Sequence, residues 1–108
     1  MILSQVMVYL VYMKQVTIEE IKQKSIPILK AAGIKRSDIF GSYARGEQNE
    51  NSDIDILVEF PEGKTLYDLI ELEDRLKKIL QKDVDVVTYN SISQHLKKYI
   101  FSDQTQLL

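Results

Sequence analysis

The chain has no cysteine and a single histidine among its 108 residues. Without cysteine there are no disulfides, no thiolate chemistry, no iron–sulfur clusters and no cysteine-based zinc sites. A reducing, cytoplasmic setting is therefore expected. An excess of one charge sign is also lacking. Fourteen basic side chains are mixed with 16 acidic ones, for a net charge of -2. No basic tail or long basic run is present, so strong nonspecific nucleic-acid binding is not expected. No apolar run is long enough to span a bilayer, and no membrane partner is expected. The most apolar stretch, Met1 to Met13, reads MILSQVMVYLVYM. It has neither the basic start nor the small-residue cleavage site of a signal peptide. Its tyrosines and β-branched residues suit a strand or a contact surface. Residues 1–13 are read as an apolar extension or contact element, and residues 14–108 as one domain.

What is present is enough for a core. A chain of this length makes one domain, and hides roughly 65% of the surface it exposes when unfolded. The hydrophobic fraction is 44%, so the core needs no metal or disulfide staple. There is no internal repeat and no linker marking a second unit.

The periodicities alternate between helix and strand. Thr17 is placed to cap a first helix, with Glu20 at the reciprocal capping-box position. Ile18, Ile21, Ile28 and Leu29 form its apolar stripe, Pro27 is expected to kink or split it, and Gly33 to stop it. Lys35 to Phe40 read as a short strand, broken by Gly41, with a helical turn following at Tyr43 to Gly46. The polar loop EQNENS leads into the clearest strand, Asp53 to Phe60. A second helix is expected from Leu66 to about Leu80, capped by Thr65 with Asp68 three residues on. Its apolar face is read as Leu66, Leu69, Ile70, Leu76, Ile79 and Leu80. Asp83 to Thr88 is the next strand. Ser91 or Ser93 is expected to cap a terminal helix carrying Leu96, Tyr99 and Ile100, with a tail after Phe101. This order of elements predicts an α+β or layered α/β domain.

Chemistry concentrates in two short motifs, Gly41-Ser42-Tyr43-Ala44-Arg45-Gly46 and Ser52-Asp53-Ile54-Asp55. Residues two apart on a strand share a face, so the Asp53 and Asp55 carboxylates can converge on cations. Magnesium prefers such oxygen ligands, and paired ions sit roughly 3.5–4 Å apart in two-metal sites. A third carboxylate is expected from the next strand. Asp83 and Asp85 both qualify, and Asp85 is preferred because Val84 and Val86 flank it. Three facing carboxylates repel unless cations or protons intervene. Gly41 allows close backbone approach to a ligand, its turn offers N–H groups to phosphate oxygens, and Ser42 adds a hydroxyl. Arg45 is placed either to position phosphate or to hold the polar loop. The pattern lacks the lysine–serine end of the common ATPase loop and the spacing of the dinucleotide loop. His95 reads as an ordinary surface or interface residue, and Lys35 and Arg36 as solvated charge.

Taken together, Gly41-Ser42, Arg45-Gly46, Ser52-Asp53, Asp55 and Val84-Asp85-Val86 resemble the minimal (MNT) nucleotidyltransferases of the DNA-polymerase-beta-like superfamily. The resemblance runs from about Val16 to Phe101. It implies a mixed β-sheet with helices packed on it. It implies nucleotide-phosphate binding at Gly41 and Ser42, metal binding at Asp53, Asp55 and Asp85, and two magnesium ions when nucleotide is bound. The implied reaction moves a nucleoside monophosphate, AMP from ATP above all, to an acceptor hydroxyl. Such proteins often occur beside a helical HEPN toxin. The MNT member can then act as an antitoxin that modifies a toxin tyrosine. A HEPN partner, or self-association, is therefore expected. The alternative is a noncatalytic antitoxin or assembly protein that neutralises a helical partner by binding. Other superfamily members modify antibiotics or RNA, for which this short chain offers no obvious pocket.

Overall fold

The computed structural model describes residues 16–49, 51–92 and 104–108. The expected element at 1–13, His95, and the terminal helix with Leu96, Tyr99 and Ile100 lie outside the described residues.

Helix α1 spans Ile18–Ala31. The Thr17 hydroxyl accepts the Glu20 N–H at 3.1 Å, so the expected cap forms. Glu20 pairs with Lys24 at 2.7 Å. Pro27 does not split the helix. Its ring is exposed, so the carbonyl one turn earlier that loses its donor can turn to water. The chain then makes β1 (Ser37–Phe40), a four-residue helix α2 (Ser42–Arg45) and β2 (Ile54–Val58). Helix α3 (Leu66–Leu80) follows, then β3 (Val84–Thr88), a 3-10 turn at Tyr89–Ser91 and a two-residue β4 (Thr105–Gln106). At the start of α3, Asp68 accepts from the Thr65 N–H at 2.7 Å and from its hydroxyl at 3.1 Å.

The strands form one mixed sheet in the order β3-β2-β1-β4. β1 runs antiparallel to β2 and to β4, whereas β2 and β3 are parallel, with α3 as their crossover. Ile39, Ile54, Ile56, Val58, Val84 and Val86 form the sheet's side of the core. Ile21 and Leu29 of α1 and Leu72, Leu76 and Leu80 of α3 pack against it. The apolar face of α3 thus differs from the expected one. Leu72 belongs to it, while Leu66, Ile70 and Ile79 are exposed. Leu69, Leu72, Leu76 and Leu80 recur every three or four positions, which keeps them on one stripe. The exposed three flank that stripe.

The expected tail is also corrected. Leu107 is buried in the core, and the Ser37 carbonyl accepts the Leu107 and Leu108 N–H groups at 2.8 and 3.0 Å. Hydrogen bonding to the edge of β1 organises a segment with little local propensity of its own.

Candidate active site

β1 delivers the chain to Gly41, whose φ of 75° and ψ of -150° belong to a region essentially restricted to glycine. The turn closes locally. Arg45 N–H donates to the Gly41 carbonyl at 3.1 Å, and Glu47 N–H to the Ser42 carbonyl at 2.9 Å. Tyr43 is buried and roots this turn in the core, leaving Ser42 partly exposed above it. A side chain at position 41 would strike Oδ2 of Asp55. Gly41 therefore serves both a strained backbone and the close approach of a carboxylate. Because α2 has only four residues, anion binding here falls to local N–H groups and the Ser42 hydroxyl rather than to a long helix dipole.

The carboxylates come from adjacent strands. Asp55 of β2 stands directly beside Asp85 of β3 in the parallel register, and the two share the face of the sheet opposite Ile54 and Ile56. Asp53 lies just before β2, exposed. Its loop is held by its own polar groups. Asn49 N–H donates to the Ser52 hydroxyl at 2.9 Å, Ser52 N–H to the Asn49 carbonyl at 3.1 Å, and Asn51 N–H to Asn49 Oδ1 at 2.8 Å. Asp83 precedes β3, and its backbone carbonyl accepts the Ile54 N–H at 2.9 Å. Asp85, preferred as the inner member of the pair, is in register with Asp55 yet exposed.

The electrostatics match this crowding. Partial burial pushes the Asp55 carboxyl up to about 6, the neighbouring Asp85 and Asp53 charges push the same way, and Arg45 opposes them. Arg45 also pairs with Glu47 at 3.1 Å, so it both holds the polar loop and faces the carboxylates. Among the described residues, no three His, Cys, Asp or Glu side chains are already gathered around a cation position. The donor set, all hard oxygen, suits magnesium. A carboxylate already resisting ionisation gains most from a divalent charge beside it.

Several side-chain contacts along the sheet were not read from sequence. Asp38, buried on the same face as Asp55 and in register with Leu57, accepts a hydrogen bond from the Tyr89 hydroxyl. Burial and that bond raise the Tyr89 pKa above the usual phenol value. Arg36, read as solvated charge, stacks 4.4 Å over the Tyr89 ring. Lys82 donates to the Ser52 carbonyl at 3.4 Å and lies 6.0 Å from the centre of the Tyr43 ring. These partners are 30 or more positions apart in sequence, so no local pattern marks them.

The chain is similar to proteins of known name over most of its length. A Methanocaldococcus jannaschii protein, provisionally named a protein adenylyltransferase, is 58% identical over 91 residues, covering 84% of this chain and 98% of its own. Protein adenylyltransferase MntA of Thermococcus cleftensis is 36% identical over 95 residues, covering 84% of this chain and 96% of its own. A solved structure of a tri-AMPylated Shewanella oneidensis HEPN toxin in complex with an MNT antitoxin matches with a TM-score of 0.66. Identity there is 27%, with 83% of this chain and 71% of that one covered. The mixed four-stranded sheet and its helices are those of minimal nucleotidyltransferases, the polymerase-beta-like fold. The nucleotidyltransferase domain model matches residues 18–108, and the chain belongs to this family of nucleotidyltransferase enzymes.

Proposed function

We propose that the chain is a metal-dependent protein adenylyltransferase that moves AMP from ATP to a tyrosine hydroxyl of a HEPN toxin, and so acts as its antitoxin. The observation that carries this reading is the juxtaposition of Asp55 with Asp85 across two parallel strands, with Asp55 packed against the Gly41 turn. Adenylyltransferase names among the relatives and the AMPylated toxin in the similar complex support the choice of AMP and of partner.

In this reading Gly41 and Ser42 hold the nucleotide phosphates through backbone N–H groups and a hydroxyl, and Arg45 adds positive charge at the same edge. Asp53, Asp55 and Asp85 hold the metal, with two magnesium ions at full occupancy. When bound, the metal neutralises phosphate charge. Asp85, exposed at the rim, orients the acceptor hydroxyl and favours loss of its proton. The acceptor oxygen bonds to the α-phosphorus, the bond from that phosphorus to the bridging oxygen breaks, and pyrophosphate leaves. The hydroxyl proton passes to Asp85 and then to water. The catalytic unit is residues 14–108, with 1–13 an extension or contact element. It works in the cytoplasm, as a complex with the toxin or with a second copy. Among the described residues, no helix is long and apolar enough to cross a membrane.

The test is the intact mass of a candidate neighbouring HEPN protein after incubation with this protein, ATP and magnesium. A gain of one or more AMP groups is expected with the wild type and none with Asp53 and Asp55 both changed to Asn. An unmodified toxin in a verified complex would overturn the reading.

A further inference from the structure

We infer that Lys82 is a positioning residue that sets the place of Asp53 relative to the Gly41–Ser42 turn. Lys82 sits between the C-terminal cap of α3, Gln81 in a left-handed conformation, and the start of β3. Its partly buried ammonium donates to the Ser52 carbonyl at 3.4 Å, one residue before Asp53. On its other side lies the ring of Tyr43, at 6.0 Å from the centroid, the outer range of a cation–π contact. Tyr43 is fixed, at 1% exposure, and belongs to the same helical turn as Ser42. The next residue, Asp83, takes the Ile54 N–H through its carbonyl, and Asp85 lies two further on. One side chain therefore touches the segments carrying Ser42 and Asp53, and the strand that follows it carries Asp85.

This tie matters because Asp53 is the least anchored of the three carboxylates. Asp55 and Asp85 are fixed by the strand ladder, whereas Asp53 is exposed and lies outside it. The loop before it is docked at its start, where Glu47 N–H meets the Ser42 carbonyl and Arg45 pairs with Glu47, while its far end is held by hydrogen bonds among its own residues. Lys82 reaches that far end from 30 positions away and docks it. Among its contacts are the Ser52 carbonyl and the Tyr43 ring. The Arg45 charge acts on Asp55. The inference rests on the proposed function only in reading Asp53 as a metal ligand.

The test compares Lys82→Met and Lys82→Arg in the full chain by two readouts. The first is amide hydrogen exchange of the segment 47–55 without metal or nucleotide. Lys82→Met is expected to speed exchange there while leaving β1 and α1 unchanged, and Lys82→Arg to exchange as the wild type. The second is Mn2+ affinity in the presence of a non-hydrolysable ATP analogue, read by the paramagnetic signal of free Mn2+. Loss of a group that orients a ligand typically weakens metal binding about tenfold or more, and that loss is expected for Lys82→Met with rescue by Lys82→Arg. Wild-type exchange and affinity in Lys82→Met would overturn the inference alone. So would an equal loss in both variants that follows a fall in global stability. A wild type that binds no Mn2+ with the analogue would overturn the metal reading of Asp53 and this inference with it.

Discussion

Replacing Gly41 by Ala tests the tightest coupling in the site. Two costs are expected, and they can be separated. The backbone cost arises because φ of 75° with ψ of -150° is a glycine-only conformation, worth about 1–3 kcal/mol. The steric cost arises because the new Cβ meets Asp55 Oδ2, with Cγ at 3.3 Å and Cβ at 3.6 Å. Asp55 cannot yield freely, since it is half-buried and shares its face with Asp85. A coupling of about 1–2 kcal/mol is expected, within the range for residues in contact. Together these lower Tm by roughly 10–25 °C for a domain of this size. Gly46→Ala is the control. Gly46 has a φ of 72° but open space around it, so it carries only the left-handed cost, about 1–2 kcal/mol. The decisive arm repeats Gly41→Ala in an Asp55→Ala background. There only the Asp55 Cβ remains, at an ordinary van der Waals distance, and the cost of Gly41→Ala should fall to its backbone part. Thermal and urea unfolding of the four proteins give the cycle. The reasoning is refuted if the cost of Gly41→Ala is the same with and without the Asp55 carboxylate.

Two further outcomes follow from the same physics. The Asp55 carboxyl is raised from 3.8 to about 6, so the folded protein binds its proton more tightly than the unfolded chain does. Its contribution to stability is fully present below pH 3.8 and lost as pH rises through about 6. Asp55→Asn is therefore expected to melt at a higher temperature than wild type at pH 7 without metal, the gap closing towards pH 4; a constant gap across that range would contradict the assignment. Leu107→Ala should destabilise by about 2–3 kcal/mol in urea unfolding, because Leu107 is a buried core residue; a change below 0.5 kcal/mol would restore the tail reading.

Much of the fold was legible because it is locally encoded. The caps at Thr17 and Thr65, the alternation through Ile54, Ile56 and Val58, and the glycine at position 41 each act within a few residues. Asp55 was legible on the strand face away from Ile54 and Ile56 for a related reason, whereas Asp53, expected on the same strand, lies just before it, and the approach of the Asp55 carboxylate to Gly41 is a tertiary contact. The errors have physical causes too. The face of α3 was misjudged because helical spacing accommodates more than one apolar stripe, and only packing against the sheet selects Leu72 over Ile70. Pro27 was expected to kink or split α1, and it does not split it: its exposed position and the packing of Ile21 and Leu29 carry the helix through. The C-terminal strand was invisible because Thr105 and Gln106 are ordered by the free edge of β1, which no local pattern describes.

The sequence by itself determined the helices α1 and α3, the strands β1 to β3 and the need for glycine at the turn at position 41, since these depend on residue type and short spacing. Tertiary structure alone decided the strand order β3-β2-β1-β4, the register that sets Asp85 beside Asp55, and the contacts of Lys82 with Ser52, 30 positions away, and of Tyr89 with Asp38, 51 positions away. Those depend on which distant segments the core brings together, and hydrophobic burial is non-directional until backbone pairing fixes the register.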